Sequence, residues 1–210
     1  QIAELIAHYL PACETIGCFA RVTDVARKTD GELEALRGLG YAGLSIGVET
    51  GDGPSLEFMD KGYGPGDIVE QSRRLDGAEI AYHFMYLAGL PGAGRGVEGA
   101  VNSAEIFNRT YPRIIGSSML TVFPESRLHE EMRRGTWTEE SEIEKLEEIR
   151  TLVKRLEIPV WFATLGASNA VWVQGELPAG REAMLAQLEA ACDPAREAAL
   201  RRYRTSLPHL

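Results

Sequence analysis

The stretch Gly43-Leu44-Ser45-Ile46-Gly47-Val48-Glu49-Thr50-Gly51 alternates aliphatic residues with small or polar ones. A period of two marks a β-strand, here with Leu44, Ile46 and Val48 on one face and Ser45, Gly47 and Glu49 on the other. Such a strand suits a parallel sheet whose outer face is covered by helices and whose inner face meets a ligand. Asp60-Lys61-Gly62 follows about one short helix later, so a carboxylate at a strand end and a cation one helix away are expected at the same end of the sheet.

The same pattern extends in both directions. Ile2, Leu5, Ile6 and Tyr9 share one face of a first helix, and residues 15–20 read as a strand. Thr29 and Glu32 form a capping box that opens a helix ending near Gly38 or Gly40. Helices are expected at about 53–59 and 65–75, a strand at 80–88, a helix at 97–109 and a strand at about 113–123. This alternation implies parallel strands joined by right-handed crossovers. Beyond Pro124 the pattern is mostly helical, with one helix at 126–134, another capped by Thr138 and carrying Ile143, Leu146, Ile149, Val153 and Leu156, and a last one at about 181–191. A short strand at 160–164 interrupts them, and 194–210 reads as a loosely attached tail.

Composition bounds the function. The 210 residues are 44% hydrophobic, enough for a substantial core, and no apolar run is long enough to span a bilayer. The formal net charge of -9 repels a nucleic-acid backbone on average, and Arg73-Arg74, Arg133-Arg134 and Arg201-Arg202 read as solvated pairs on helices. Cys13, Cys18 and Cys192 fit no cluster or zinc spacing, and Cys18 is expected as a buried thiol in an apolar strand. Few cysteines and no export signal suggest a reducing cytoplasm.

Six blocks carry a family resemblance: Cys18-Phe19-Ala20-Arg21, Ile46-Gly47-Val48-Glu49-Thr50, Met59-Asp60-Lys61-Gly62, Leu87-Ala88-Gly89-Leu90-Pro91-Gly92, Leu120-Thr121-Val122-Phe123-Pro124-Glu125 and Ala167-Ser168-Asn169. In order and spacing they resemble the radical S-adenosylmethionine (SAM) superfamily, in the branch of oxygen-independent coproporphyrinogen oxidase and the elongator-type proteins. The resemblance covers residues from about 14 to about 193. It implies an α/β fold, a parallel-stranded partial TIM-type barrel. Residues 1–124 would supply strands three to six, 125–193 a helical C-terminal extension, and 194–210 the tail. The superfamily's Cys-x-x-x-Cys-x-x-Cys, which binds a [4Fe-4S] cluster, is not among these residues, so the cluster is expected only in a longer parent for which this chain is the C-terminal part, inactive alone.

The resemblance also implies roles. Glu49 resembles the acid that holds the SAM ribose, Lys61 the base that faces the SAM carboxylate, and Leu87 a lumen residue packing on the adenine. Met85 stands where the porphyrinogen-oxidase relatives carry an acid, and Pro124-Glu125-Ser126-Arg127 replaces their Pro-Gly-Thr-Pro turn. His83, Ser118 and Arg21 are candidates for the substrate side: His83 by its near-neutral titration, Ser118 or its neighbour Ser117 by strand alternation, and Arg21 by its position past a strand. Each also has a structural reading, as a hydrogen-bonded core histidine, ordinary packing in a barrel, and an outer-surface arginine. The expected partners are a small-molecule substrate and, for the parent, an electron donor, with no metal ligand here. Two alternatives stand beside this reading. One is a non-catalytic α/β nucleotide-binding module. The other is a Rossmann domain, because Gly94-x-Gly96-x-x-Gly99 lies between a strand and a helix. Glu98 at that helix start argues against a bound pyrophosphate there.

Overall fold

The computed structural model describes residues 2–207. Its six-stranded sheet has the order β1-β2-β3-β4-β5-β6. Strands β1 (Ile16–Ala20), β2 (Tyr41–Glu49), β3 (Ala81–Ala88), β4 (Ile114–Met119) and β5 (Val160–Thr164) pair in parallel, and β6 (Gln174–Leu177) pairs antiparallel with β5. A strand order that never reverses is that of a partial barrel. It rules out the Rossmann reading, which needs a switch after the first strand.

Helices α1 (Ile2–Tyr9), α2 (Val22–Ala26), α3 (Asp30–Gly38), α4 (Gly53–Phe58), α5 (Pro65–Gly77), α6 (Gly96–Phe107), α7 (Arg127–Arg134), α8 (Glu142–Arg155), α9 (Arg181–Ala191) and α10 (Glu197–Thr205) complete the chain. The strand alternation decides which face they cover. Leu44, Ile46 and Val48 of β2, Tyr82, Phe84 and Tyr86 of β3, Ile115 of β4 and Phe162 of β5 are buried. They form one core with Leu75, Phe107, Ile149 and Leu152 from the helices. The opposite, concave face carries Phe19, Ser45, Gly47, His83, Met85, Gly116, Ser118 and Trp161, and none of these side chains joins that core.

Several expectations change. The short strand expected at 160–164 joins the sheet: β5 pairs with β4, and the hydrophobic core includes residues of α8 and α9. The fourth strand ends at Met119 rather than 123, and Ser141, not Thr138, caps α8. Cys18 is exposed, because no helix covers the β1 edge at that point. The segment 194–207 is not a loose tail. It forms a 3-10 turn, Pro194–Arg196, and α10, whose Arg204 is buried; residues 208–210 lie outside the described residues. Arg74 and Arg201 are likewise engaged, Arg74 with Asp30 at 2.7 Å and Arg201 with Glu139 at 2.8 Å.

Candidate functional site

The C-terminal ends of the parallel strands converge on Glu49. Between Gly47 and Glu49 the β2–β3 register slips by a bulge, and Glu49 then takes φ 60°, the left-handed region that a non-glycine residue enters only at a cost. The turn is closed by the Thr50 N–H on the Val48 carbonyl at 2.6 Å. Its effect is to fold the carboxylate back over the strand: a Cβ placed on Gly47 would stand 3.1 Å from Glu49 Oε1. The glycine at 47 therefore leaves room for the carboxylate on the concave face.

That backbone is pinned from behind. The Gly51 N–H donates to Ser103 Oγ at 2.8 Å, and a side chain at Gly51 would meet Ser103 Cα at 2.7 Å, so the strand end sits hard against α6. Asp52 caps α4 through the Ser55 N–H at 3.1 Å and accepts from Asn102 Nδ2 at 2.7 Å. Burial works against its charge, but the Ser55, Asn102 and Arg95 contacts outweigh it and hold the carboxyl below its ordinary value.

The short α4 then returns the chain to the same rim. Asp60 and Gly62, both at positive φ, close it, and Lys61 Nζ lies 3.5 Å from Glu49 Oε1. Tyr63 follows with its hydroxyl donating to the Val48 carbonyl at 2.9 Å, and burial, with the Glu49 charge beside it, pushes its phenol well up. A cavity of 550 Å³ opens beside this turn, lined by Gly53, Pro54, Leu56, Glu57, Lys61 and Tyr63. A larger cavity, 780 Å³, lies at the opposite end of the strands around Tyr111, Arg113 and Trp161, away from Glu49.

The other candidates separate. Leu87 is on the concave side of β3 next to Ser118 of β4, and it packs with Met59, Leu90, Leu120, Val122, Leu128, Met132 and Trp137, a second apolar cluster over the rim. Ser118 points into the concave face and donates to the Leu165 carbonyl at 3.1 Å, while Ser117 is buried behind the sheet. His83 is half-buried, has no hydrogen-bond partner among the described residues, and burial lowers its pKa. Arg21 turns away to Asp24, which it meets at 3.2 Å in a capping box of α2. Asn169 is buried and donates to the Ser117 carbonyl at 3.0 Å, so the loop at 167–169 locks β4 to β5.

The residue pattern gave no hint of a second group of charges behind the rim. Glu148 of α8 accepts from the Tyr86 hydroxyl and, at 2.6 Å, from the Gly89 N–H. Glu140 is electrostatically coupled to Glu148, and its approach is open only because position 96 is glycine, where a Cβ would stand 2.7 Å from Glu140 Oε2. Both Glu140 oxygens are buried without a hydrogen-bond partner among the described residues, so nothing there supports a charge on both carboxyls. Burial lifts Glu140 to about 7 and Glu148 well above its ordinary value. Glu140, Glu98 and Glu144 surround the N-terminus of α6, an acidic setting that disfavours a phosphate; Gly96 and Gly99 leave room for Glu140 and Pro91, and Gly94 takes a positive φ.

No protein-family model matches the sequence, and no curated protein matches it. Among solved structures, archaeal Methanocaldococcus infernus Elp3 with an N-terminal deletion matches 73% of this chain and 35% of its own, at TM-score 0.60 and 20% identity. TsrM from Kitasatospora setae, a radical S-adenosylmethionine methyltransferase solved with cobalamin and a [4Fe-4S] cluster, matches 93% of this chain and 41% of its own, at TM-score 0.50 and 15% identity. The fold is theirs. This chain spans well under half the length of either.

Proposed function

We propose that this chain is the SAM-binding portion of a radical SAM enzyme acting on a small molecule. The observation that carries the reading is Glu49: a carboxylate held in a strained conformation at the strand C-termini, laid over Gly47 on the concave face with Lys61 3.5 Å away. Strain of this kind persists only where the surrounding structure over-determines it, and it clusters at ligand sites. A carboxylate there accepts both hydroxyls of a ribose, and the ammonium faces the carboxylate of the methionine part. In the absence of a ligand the two side chains satisfy each other. The shared fold with TsrM and Elp3 and the six sequence blocks support the same assignment.

SAM supplies, in radical SAM enzymes, a 5′-deoxyadenosyl radical after reductive cleavage. The described residues contain no set of three or more metal-ligating side chains, so no cluster-dependent step is assigned to them. On this reading the cluster and the electron donor are supplied from outside these residues. A non-catalytic nucleotide-binding module is the second reading, favoured by the same lack of thiolates.

Calorimetric titration of SAM and S-adenosylhomocysteine into the chain tests the assignment. Glu49→Ala is expected to lower SAM affinity at least tenfold, through two lost charge-assisted hydrogen bonds of about 1.5–3 kcal/mol each before desolvation. Lys61→Ala should cost less, because a half-exposed ammonium is screened. Unchanged affinity in Glu49→Ala would overturn the assignment.

A further inference from the structure

The strand registers place one row of side chains straight across the concave face. Phe19 pairs with Ser45, Ser45 with His83, His83 with Ile114, and Ile114 with Trp161. At about 4.8 Å per strand, Ser45, His83 and Ile114 span roughly 10 Å, with an aromatic residue at each end of the row. Both aromatics are open, Phe19 at 85% and Trp161 at 43% exposure. Ser45 and His83 sit side by side, and neither side chain has a hydrogen-bond partner among the described residues. The next row toward the rim is Gly47, Met85, Gly116 and Ala163, which is small and apolar, with Leu165 lying over Gly116.

The charge pattern of this surface is selective. Residues of ionic type make up 25% of the chain, yet neither row contains one between β1 and β5. The charges stand at the margins, Glu49 and Lys61 at the rim, Glu176 beside Trp161 on β6, and Arg113 with Trp161 on the cavity at the other ends of the strands. A charged group laid on the floor would lose water without gaining a counter-charge, an unfavourable exchange. A flat apolar ring loses nothing and gains contact with Ile114 and the two aromatics.

We infer that the row Phe19–Ser45–His83–Ile114–Trp161 is the platform for an uncharged, flat heteroaromatic ligand, whose ring hydrogen-bonding group is met by Ser45 and His83. Burial without a neighbouring carboxylate keeps the imidazole neutral, so it offers one donor and one acceptor. The serine hydroxyl beside it can do either. Naming this ligand a substrate rests on the SAM reading of the rim; the platform itself does not. Its middle row lies four residues below Glu49 along β2, about 13 Å at the usual strand rise.

Indole, a neutral fused ring with one N–H, is the probe, titrated into the isolated chain without SAM and followed by NMR. Saturable shifts confined to residues around Ser45, His83, Ile114 and Trp161 are expected. His83→Ala and Trp161→Ala should each weaken binding at least fivefold, while His83→Gln and Trp161→Phe, which keep the hydrogen bond and the ring, should recover most of it. The anion indole-3-acetate and the cation tryptamine should bind at least tenfold more weakly than indole. Non-saturating shifts, affinities unmoved by both alanine variants, or equal binding of the charged analogues would overturn the platform. If indole binds as expected while SAM binding proves independent of Glu49, the platform stands and the rim assignment falls.

Discussion

Glu49 is held at φ 60°, where an L side chain costs about 1–2 kcal/mol that glycine avoids. Its ion pair with Lys61 is only partly buried, and pairs of that kind are worth about 0–1 kcal/mol. The strain therefore outweighs the pair, and the residue costs stability that its carboxylate must justify in another way. Glu49→Gly is expected to be more stable to urea than Glu49→Ala by about 1 kcal/mol, with both having lost SAM affinity. A glycine variant no more stable than the alanine variant would show that the turn is relaxed. This residue was legible in the sequence because strand alternation delivers it to the end of β2, and Lys61 was legible from its spacing. The positive φ and the bulge were not, since Val48-Glu49-Thr50 contains no glycine to announce a left-handed turn.

At the scale of elements, α8 joins the sheet through carboxyls that its amphipathic pattern conceals. Ile149, Val153 and Leu156 read as the buried stripe, and they are buried, but Glu148, Glu142 and Lys145 are buried beside them. The period shows which face turns inward, and it cannot show that charged residues on its border will be enclosed by a later segment. The Glu140–Glu148 pair has a pH signature. A carboxyl near 4.5 in the unfolded chain and near 7 in the fold binds more protons when folded between those values, so stability falls as pH rises through that window. Glu140→Gln keeps the shape of the side chain and removes the second charge. In urea unfolding it should be more stable than the parent at pH 8, by on the order of 2 kcal/mol, and should lose that advantage at pH 4. Equal pH slopes in the two proteins would dismiss the raised Glu140 carboxyl.

For the molecule as a whole, the C-terminal helix closes a charge network rather than trailing from the domain. Glu142 meets Arg204 at 3.2 Å and Arg201 at 3.3 Å, Lys145 meets Glu139 at 2.7 Å, and Arg204 also donates to the Leu120 carbonyl at 2.5 Å. Leu120 follows β4, so α10 supports the rim from the far side. Removing Arg204 leaves the buried Glu142 only Lys145, at 3.8 Å, and the half-exposed Arg201, and breaking a buried pair costs about 3–5 kcal/mol. Arg204→Ala should lower the unfolding free energy by about 3 kcal/mol, whereas Arg202→Ala, at an exposed position of the same helix, should change it by about 0.5 kcal/mol or less. Similar thermal melts for the two would place α10 outside the cooperative unit. The stretch Glu-Ala-Ala-Leu-Arg-Arg-Tyr-Arg-Thr of α10 has only Leu200 and Tyr203 as large apolar residues, so its sequence resembles a solvated end. Strands β2 and β3 were legible because they alternate, and β1, β4 and β5 as short strand-like runs between helices. Strand β6, Gln-Gly-Glu-Leu, was not, because its place is fixed by pairing with β5 rather than by pattern.

The Glu142–Arg204 contact joins residues 62 positions apart. A chain emerging from the ribosome can pair β1 to β5 in order as each appears, since every strand neighbours the one made just before it. Glu142, however, is made long before Arg204, and at about 5–20 residues per second it waits several seconds for its counter-charge. Synthesis thus imposes a schedule: the sheet assembles progressively, while the back of α8 stays wet until α10 arrives to expel the water.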